Sequence, residues 1–445
     1  MADEQRKLAA LMAKYKEVLA RDPKNFPARH DLGVAYMQRR EFPAAIEQLK
    51  QAAALSPKHP GVHYVLGIAL AEAGSLDEAI AAWKTVNKLN PRHAGARFNL
   101  GKVYALKGMT DGAIFELKKA VEAEEGPKGI IRAHLAEVYH ATGRDAEAQA
   151  VLAEGLRDEP NNSRLHFNLG SLYLDKGMYS EATAALERAL LLGEEGHLLH
   201  YNLGEAYMAK GEHDKGLAQF EAAVRGCPDD ARAHTQLGRA YLQAGKVAAA
   251  LETWLKAAKL DVADPHPLYL AGITQVALGQ AEEGMDKLRS VLDKDPNYHL
   301  ARAQLAESLA NEGRLDESLA EWRELCARDP RNPSAYAKLA ETLLRAGATD
   351  EALQAGRKIL SFDERHPMGH LTVGLCLLLR KEPAQALAAW KRARQSDPNF
   401  ALRGVGLIRA ACRADLFERL VAPALRPSDA EGRELVNSLK SLLRG

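Results

Sequence analysis

The chain has 445 residues, with 60 Lys plus Arg against 59 Asp plus Glu, 47% apolar residues and 6% aromatics. That balance excludes the cationic surface a nucleic-acid or polybasic membrane binder needs, and an apolar fraction built on Ala, Leu and Val is the palette of closely packed helices. Four cysteines, Cys227, Cys326, Cys376 and Cys412, lie far apart without a CxxC pair, which excludes zinc spacings and a disulfide framework and fits a reducing, cytoplasmic setting.

At the N-terminus, residues 3–22 are predicted as one helix, stopped by Pro23. MADEQRKLAALMAKYK carries charge throughout and lacks the apolar core of a signal peptide. From residue 26 a period of 34 takes over. The glycines Gly33, Gly67, Gly101, Gly170, Gly204, Gly238, Gly272 and Gly374 are spaced by multiples of 34, with one residue (Lys128) inserted between Gly101 and Gly170. Taking each as position 8 defines eleven units, starting at Phe26, Pro60, Ala94, Gly129, Ser163, His197, Ala231, Pro265, His299, Pro333 and Pro367.

Other positions then fall into columns. Position 20 is small in all eleven units, and position 15 is Gly in nine of them, from Gly74 to Gly347. Position 11 holds Tyr36, Tyr104, Tyr139, Tyr173, Tyr207 and Tyr241, and all four tryptophans (Trp83, Trp254, Trp322, Trp390) occupy position 24. Proline closes seven units at position 32. Apolar residues at 4, 7, 8, 11 and 12, and again at 20, 24, 27 and 28, predict two helices of about 14 residues per unit. The position-15 Gly supplies the left-handed turn after the first helix. Small residues at 8 and 20 let the two axes approach, with the large position-24 side chain filling the remaining wedge. Gly356 at position 24 of the tenth unit is expected to leave its wedge unfilled, and GluGluGlyProLysGly beside the insertion predicts a longer joint.

These columns closely resemble the tetratricopeptide repeat family over 375 of the 445 residues. The resemblance implies an all-α fold, an α-solenoid in which helix-turn-helix units wind into a right-handed superhelix. Expected boundaries are an N-terminal capping helix over 1–25, eleven tandem repeats over 26–400 and a C-terminal helical cap over 401–445. Position 4, often Trp in the family, departs from the pattern with His63, Arg97, His166, His200 and His234. The tail is expected to give two or three helices, the last opened by the capping box Ser428-x-x-Glu431 and showing Leu435, Leu439, Leu442 and Leu443 on one face. Such caps close the apolar ends of a solenoid.

Chemistry is hard to find in this sequence. The pairs His59/His63, His197/His200 and His366/His370 have ligand-like spacing, yet they fall on repeat phases with no third ligand converging. They read as half-buried residues between units. No GxGxxG after a strand, P-loop, nucleophile elbow or HExxH occurs. No cofactor, no metal and no enzymatic activity are expected. The longest uncharged apolar stretch, Pro367–Leu379, is too short to span a bilayer, so no direct membrane insertion is expected.

The family resemblance also implies a groove, lined by positions 2, 5, 6, 9, 12 and 13 of the first helices. Position 6 of units three to seven reads Asn99, His134, Asn168, Asn202 and Gln236, an unbroken run of hydrogen-bonding side chains. Units about 10 Å apart match three residues of an extended peptide at about 3.3 Å each. An amide offers both donor and acceptor, so such a ladder can hold a peptide backbone, as in tetratricopeptide peptide binders and the recognition domain of O-linked N-acetylglucosamine transferases. Asn is also the family's commonest residue at this position, so the run equally fits an inherited pattern. Around it stand Phe98, Phe167 and Tyr201, with Arg164, Ser171, Asp175, Glu205, Arg232 and Arg239. No cluster of Lys and Asn resembles the carboxylate clamp of chaperone-binding members.

Two apolar patches add to this. Met368, Leu371, Thr372, Leu375, Leu378 and Leu379 line the last unit, to be covered by the C-terminal helices or by a partner helix; Tyr64, Val65 and Ile68 form a smaller patch in the second. The expected function is a non-catalytic scaffold holding an extended segment of a protein partner. The alternatives are an accessory subunit recruiting substrates to a separate enzyme, such as a glycosyltransferase, and a homo-oligomer assembled through its ends.

Overall fold

The computed structural model describes residues 2–404, 408, 430, 433, 434 and 437. Among them every regular element is a helix. The pairs fall into two compact units, Met1–Cys227 and Pro228–Gly445. The first holds α1 (Ala2–Arg21) and six pairs: α2 and α3 (Phe26–Gln38, Phe42–Leu55), α4 and α5 (Pro60–Glu72, Leu76–Leu89), α6 and α7 (Ala94–Leu106, Thr110–Ala123), α8 and α9 (Gly129–Ala141, Asp145–Asp158), α10 and α11 (Ser163–Asp175, Tyr179–Leu191), and α12 and α13 (His197–Ala209, His213–Gly226). The second holds five pairs and a short closing turn. These are α14 and α15 (Ala231–Gln243, Val247–Leu260), α16 and α17 (His266–Ala277, Ala281–Lys294), α18 and α19 (His299–Asn311, Leu315–Arg328), α20 and α21 (Pro333–Arg345, Thr349–Phe362), α22 and α23 (Pro367–Leu379, Pro383–Ser396), then α24 (Phe400–Arg403). Within each unit every pair packs on the next. Among the described residues no helix is long and apolar enough to cross a membrane.

The columns explain the pairing. A Cβ added at Gly33 would lie 2.7 Å from Leu49, at Gly170 2.6 Å from Leu186, and at Gly204 2.8 Å from Phe220. Position 24 therefore packs directly onto position 8 of its own repeat, and at these glycines a side chain would drive the two helices apart. The tryptophans add a bond to this contact. Trp83, Trp254 and Trp390 donate their indole N–H to the carbonyls of Tyr64, Thr235 and Leu371, at 3.2, 3.1 and 3.4 Å. Gly356 departs from expectation: a Cβ there would meet Thr372 Cγ2 at 2.9 Å, so the next repeat fills the space.

Position 15 needs a positive φ whatever its residue. Its nine glycines have φ of 70–80°, and the two repeats without one force Arg40 to 59° and Lys381 to 62°, a conformation costly for a side chain with a Cβ.

Histidine at position 4 also has a structural account. His63, His166 and His234 bond through Nε2 to the carbonyls of Pro57, Pro160 and Pro228, each at 2.9 Å, and His370 to that of Glu364 at 2.8 Å. Arg97 and Arg302 donate to the equivalent carbonyls of Pro91 and Pro296. A carbonyl only accepts, so Nε2 carries the proton, and the side chain ties each helix start to the joint before it. Burial lowers the pKa of His234 and His370 below the ordinary histidine value, although the Pro228 and Glu364 carbonyls oppose this. His59 and His93 instead cap α4 and α6, Nδ1 accepting from Val62 and Ala96 N–H at 3.3 and 3.1 Å.

The joint at the insertion is built differently. Lys128 provides no side-chain cap for α8. Glu159, one repeat later, accepts from both Lys128 and Gly129 N–H at 2.7 Å, placing a carboxylate at the positive helix end.

Each unit has a closed end. Leu8, Met12, Tyr15 and Leu19 of α1 cluster with Leu32, Ala35 and Tyr36, so α1 covers the first repeat, whereas Tyr64, Val65 and Ile68 of the second stay half-buried. In the eleventh repeat Leu371, Thr372, Leu375 and Leu378 are fully buried. Phe400, Ala401 and Ile408 belong to the same core cluster, and a Cβ at Gly404 would collide with Leu371. The chain's own residues thus cover that face. The capping box at Ser428 and Glu431 and the leucines Leu435, Leu439, Leu442 and Leu443 lie outside the described residues.

Candidate functional site

In the first unit the first helices of repeats three to six, α6, α8, α10 and α12, carry most of the candidate residues. Their polar side chains are organised around Glu137, which the sequence reading did not single out. Glu137 accepts from His134 Nδ1 at 2.9 Å, from Asn168 Nδ2 at 3.0 Å and from Arg164 at 3.1 Å. Burial alone would raise its pKa, but the bonds from His134 and Asn168 and the charge of Arg164 outweigh this and hold it at about 2. The ionised carboxylate only accepts, so His134 donates through Nδ1.

Asn168 is buried, and its second amide hydrogen goes to the Ala133 carbonyl at 3.0 Å. Arg164 also reaches Glu194 at 3.3 Å and lies over the Phe167 ring at 5.2 Å. One turn further, His140 sits between two carboxylates, Nδ1 on Asp145 at 2.8 Å and Nε2 on Asp175 at 2.7 Å. Both partners accept, so both nitrogens donate in the imidazolium form. Burial opposes that charge, yet the two carboxylates raise the pKa above the ordinary histidine value. Repeats four and five are therefore bolted together along this face.

The next step along is lighter. Asn202 Nδ2 donates to Ser171 Oγ at 2.8 Å, and Ser171 donates to the Phe167 carbonyl at 3.0 Å. Tyr201 reaches Glu205 at 3.2 Å and meets Phe220 edge-on at 5.8 Å. Among the described residues the Asn99 side chain has no partner, and Phe98 beside it carries Lys102 at 5.5 Å and His134 at 5.2 Å. In the second unit, Arg239 donates to Gln236 at 3.4 Å and Arg232 is exposed. Among the described residues no group of three or more His, Cys, Asp and Glu side chains is placed to hold a metal.

A family model described as "Tetratricopeptide repeat" matches residues 30–86, 167–231, 201–267 and 303–367, half of the chain, and further repeat models of the same kind match 69–108, 107–170 and 268–298. The chain belongs to the tetratricopeptide repeat family. No curated protein matches it. Among solved structures it is similar to YrrB, titled "a TPR protein with an unusual peptide-binding site", at 24% identity over 42% of this chain and 95% of that one, TM-score 0.38. It is also similar to pilF of Pseudomonas aeruginosa, at 18% over 47% and 94%, TM-score 0.41. The Cut9–Hcn1 structure is similar at 13% over 92% and 94%, TM-score 0.41.

The repeat register places Asn99, His134, Asn168 and Asn202 on the first helices α6, α8, α10 and α12, but it does not say what they bond to. Asn168 and Asn202 each use their NH₂ group on the preceding repeat. Glu137 and His140, at positions 9 and 12, were legible only as a pattern: Glu137 follows His134 by three residues, and Asp175 follows His140 by 35, one repeat plus one residue.

Proposed function

We propose that this tetratricopeptide protein is a non-catalytic interaction scaffold, and that the first helices of repeats three to six hold an extended segment of a protein partner. One observation supports this most. The bonds that fix Asn168 and Asn202 consume only their N–H groups, so among the described residues their carbonyl oxygens accept nothing from the chain, while Asn99 is wholly unengaged. Acceptors held rigidly by the repeat framework match peptide N–H groups at little ordering cost. Half-buried Phe98 and Tyr201 beside them supply apolar contact at positions where a monomer gains nothing from exposing rings. Gln236, Arg232 and Arg239 offer the same residue types in the second unit.

Asn99→Ala/Tyr201→Ala tests this, because Asn99 has no partner among the described residues and Tyr201 reaches Glu205 on its own helix. Affinity capture from native cells with wild type and the double variant should show partner recovery falling at least several-fold while the thermal melt is retained. Equal recovery by a folded variant would overturn the reading.

A further inference from the structure

Helix α8 packs more closely on α10 than on α6. Glu137 is bonded by Asn168 and Arg164 of α10 and His140 by Asp175 of α10, and among the described residues no hydrogen bond joins α8 to α6. Between α6 and α8 lies a cavity of about 470 Å³, walled by Ala105, Leu106, Val138 and Ala141. Leu106 is 74% exposed. That volume is within the range of ligand pockets, and most of its exposed wall is apolar.

Charge says what should accompany an apolar occupant. Glu137 also lines the cavity, but its charge is already answered by His134, Arg164 and Asn168. Lys102 lines it too, and among the described residues this ammonium meets only the Phe98 ring and no carboxylate. The unanswered charge at the cavity is therefore positive.

We propose that this cavity is an anchoring pocket for one bulky aliphatic side chain of the partner segment, with an acidic residue beside it in sequence paired to Lys102. The proposal rests on the scaffold reading above and gives it a recognition rule. The space between α6 and α8 takes a side chain from outside. Asn99, on the same helix as Lys102, is placed to hold the backbone between them.

The test is selection from a randomised peptide display library on the immobilised full-length chain, followed by affinity measurement of enriched peptides. Three variants are compared: Ala141→Trp, which fills the cavity from an exposed position, Lys102→Glu, and Asn99→Ala/Tyr201→Ala. Wild type should enrich peptides with Leu, Ile or Met within two residues of Asp or Glu. Ala141→Trp should weaken them by about tenfold to a hundredfold, the worth of one buried aliphatic side chain. Lys102→Glu should switch the preferred neighbour from acidic to basic. Peptides that lose affinity to Asn99→Ala/Tyr201→Ala but not to Ala141→Trp would overturn the pocket and leave the scaffold reading standing. No enrichment over a bare surface would overturn both. Thermal melts show that each variant is folded.

Discussion

Repeats four and five and repeat eleven share one register and use it in opposite ways. On α8 and α10 the inward positions are His, Asn, Glu and Arg, and the helices are joined by charged hydrogen bonds that leave the face half-exposed. On α22 the same positions are Leu371, Thr372, Leu375 and Leu378, fully buried beneath Phe400, Ala401 and Ile408. The helix pair is the same scaffold in both. What differs is whether the column can tolerate water: an apolar stripe must be covered, while a polar one can remain open and available.

This contrast can be broken most forcefully at the sealed face. Leu375→Asp places a charge in a dry core and should cost about 3–5 kcal/mol in chemical unfolding. Leu198→Asp, at a 45%-exposed position on α12, should stay within about 0.5 kcal/mol. Equal costs would mean that the two faces are not different environments.

Next in size is the polar bolt. Glu137→Ala leaves one Asn168 N–H unpaired and removes one of the two carboxylates on Arg164, and should cost about 1–3 kcal/mol. Because the folded pKa of Glu137 is depressed, its contribution is present above its ordinary value and lost as pH falls toward about 2. The wild-type advantage over Glu137→Ala in unfolding experiments should therefore shrink across that acidic window.

The two histidines sharpen the contrast because their signs oppose. His140 has a raised pKa, so its contribution is present below the ordinary value of 6.5 and fades as pH rises through the raised one. His370 has a lowered pKa, so folding is favoured above 6.5 and weakened as pH falls through that value. Thermal melts of His140→Gln should show its largest defect on the acidic side, and those of His370→Gln on the neutral side. The smallest effect belongs to the turns: Arg40→Gly and Lys381→Gly should each raise stability by about 1 kcal/mol, since glycine adopts their positive φ without strain.

Much of this was legible beforehand. Helix pairs, their turns and the Gly-to-position-24 contact involve residues at most about two dozen positions apart, and they recur, so eleven copies of one pattern display them. The use of histidine at position 4 was less legible, since the carbonyl it meets belongs to the joint rather than to the column. Gly356 misled for the same reason: the side chain that fills its space comes from the following repeat.

By itself the sequence determined the period, the helix pairs and which side chains stand in each column, because these depend on local conformation and on packing within one repeat. Only the tertiary structure decided where those side chains spend their hydrogen bonds. Asn168 reaches back 35 residues to Ala133, His140 reaches forward 35 to Asp175, and α22 is sealed by Phe400 and Ile408. Such partners are chosen by how one repeat sits on the next, a geometry that the spacing of residues along a chain does not specify.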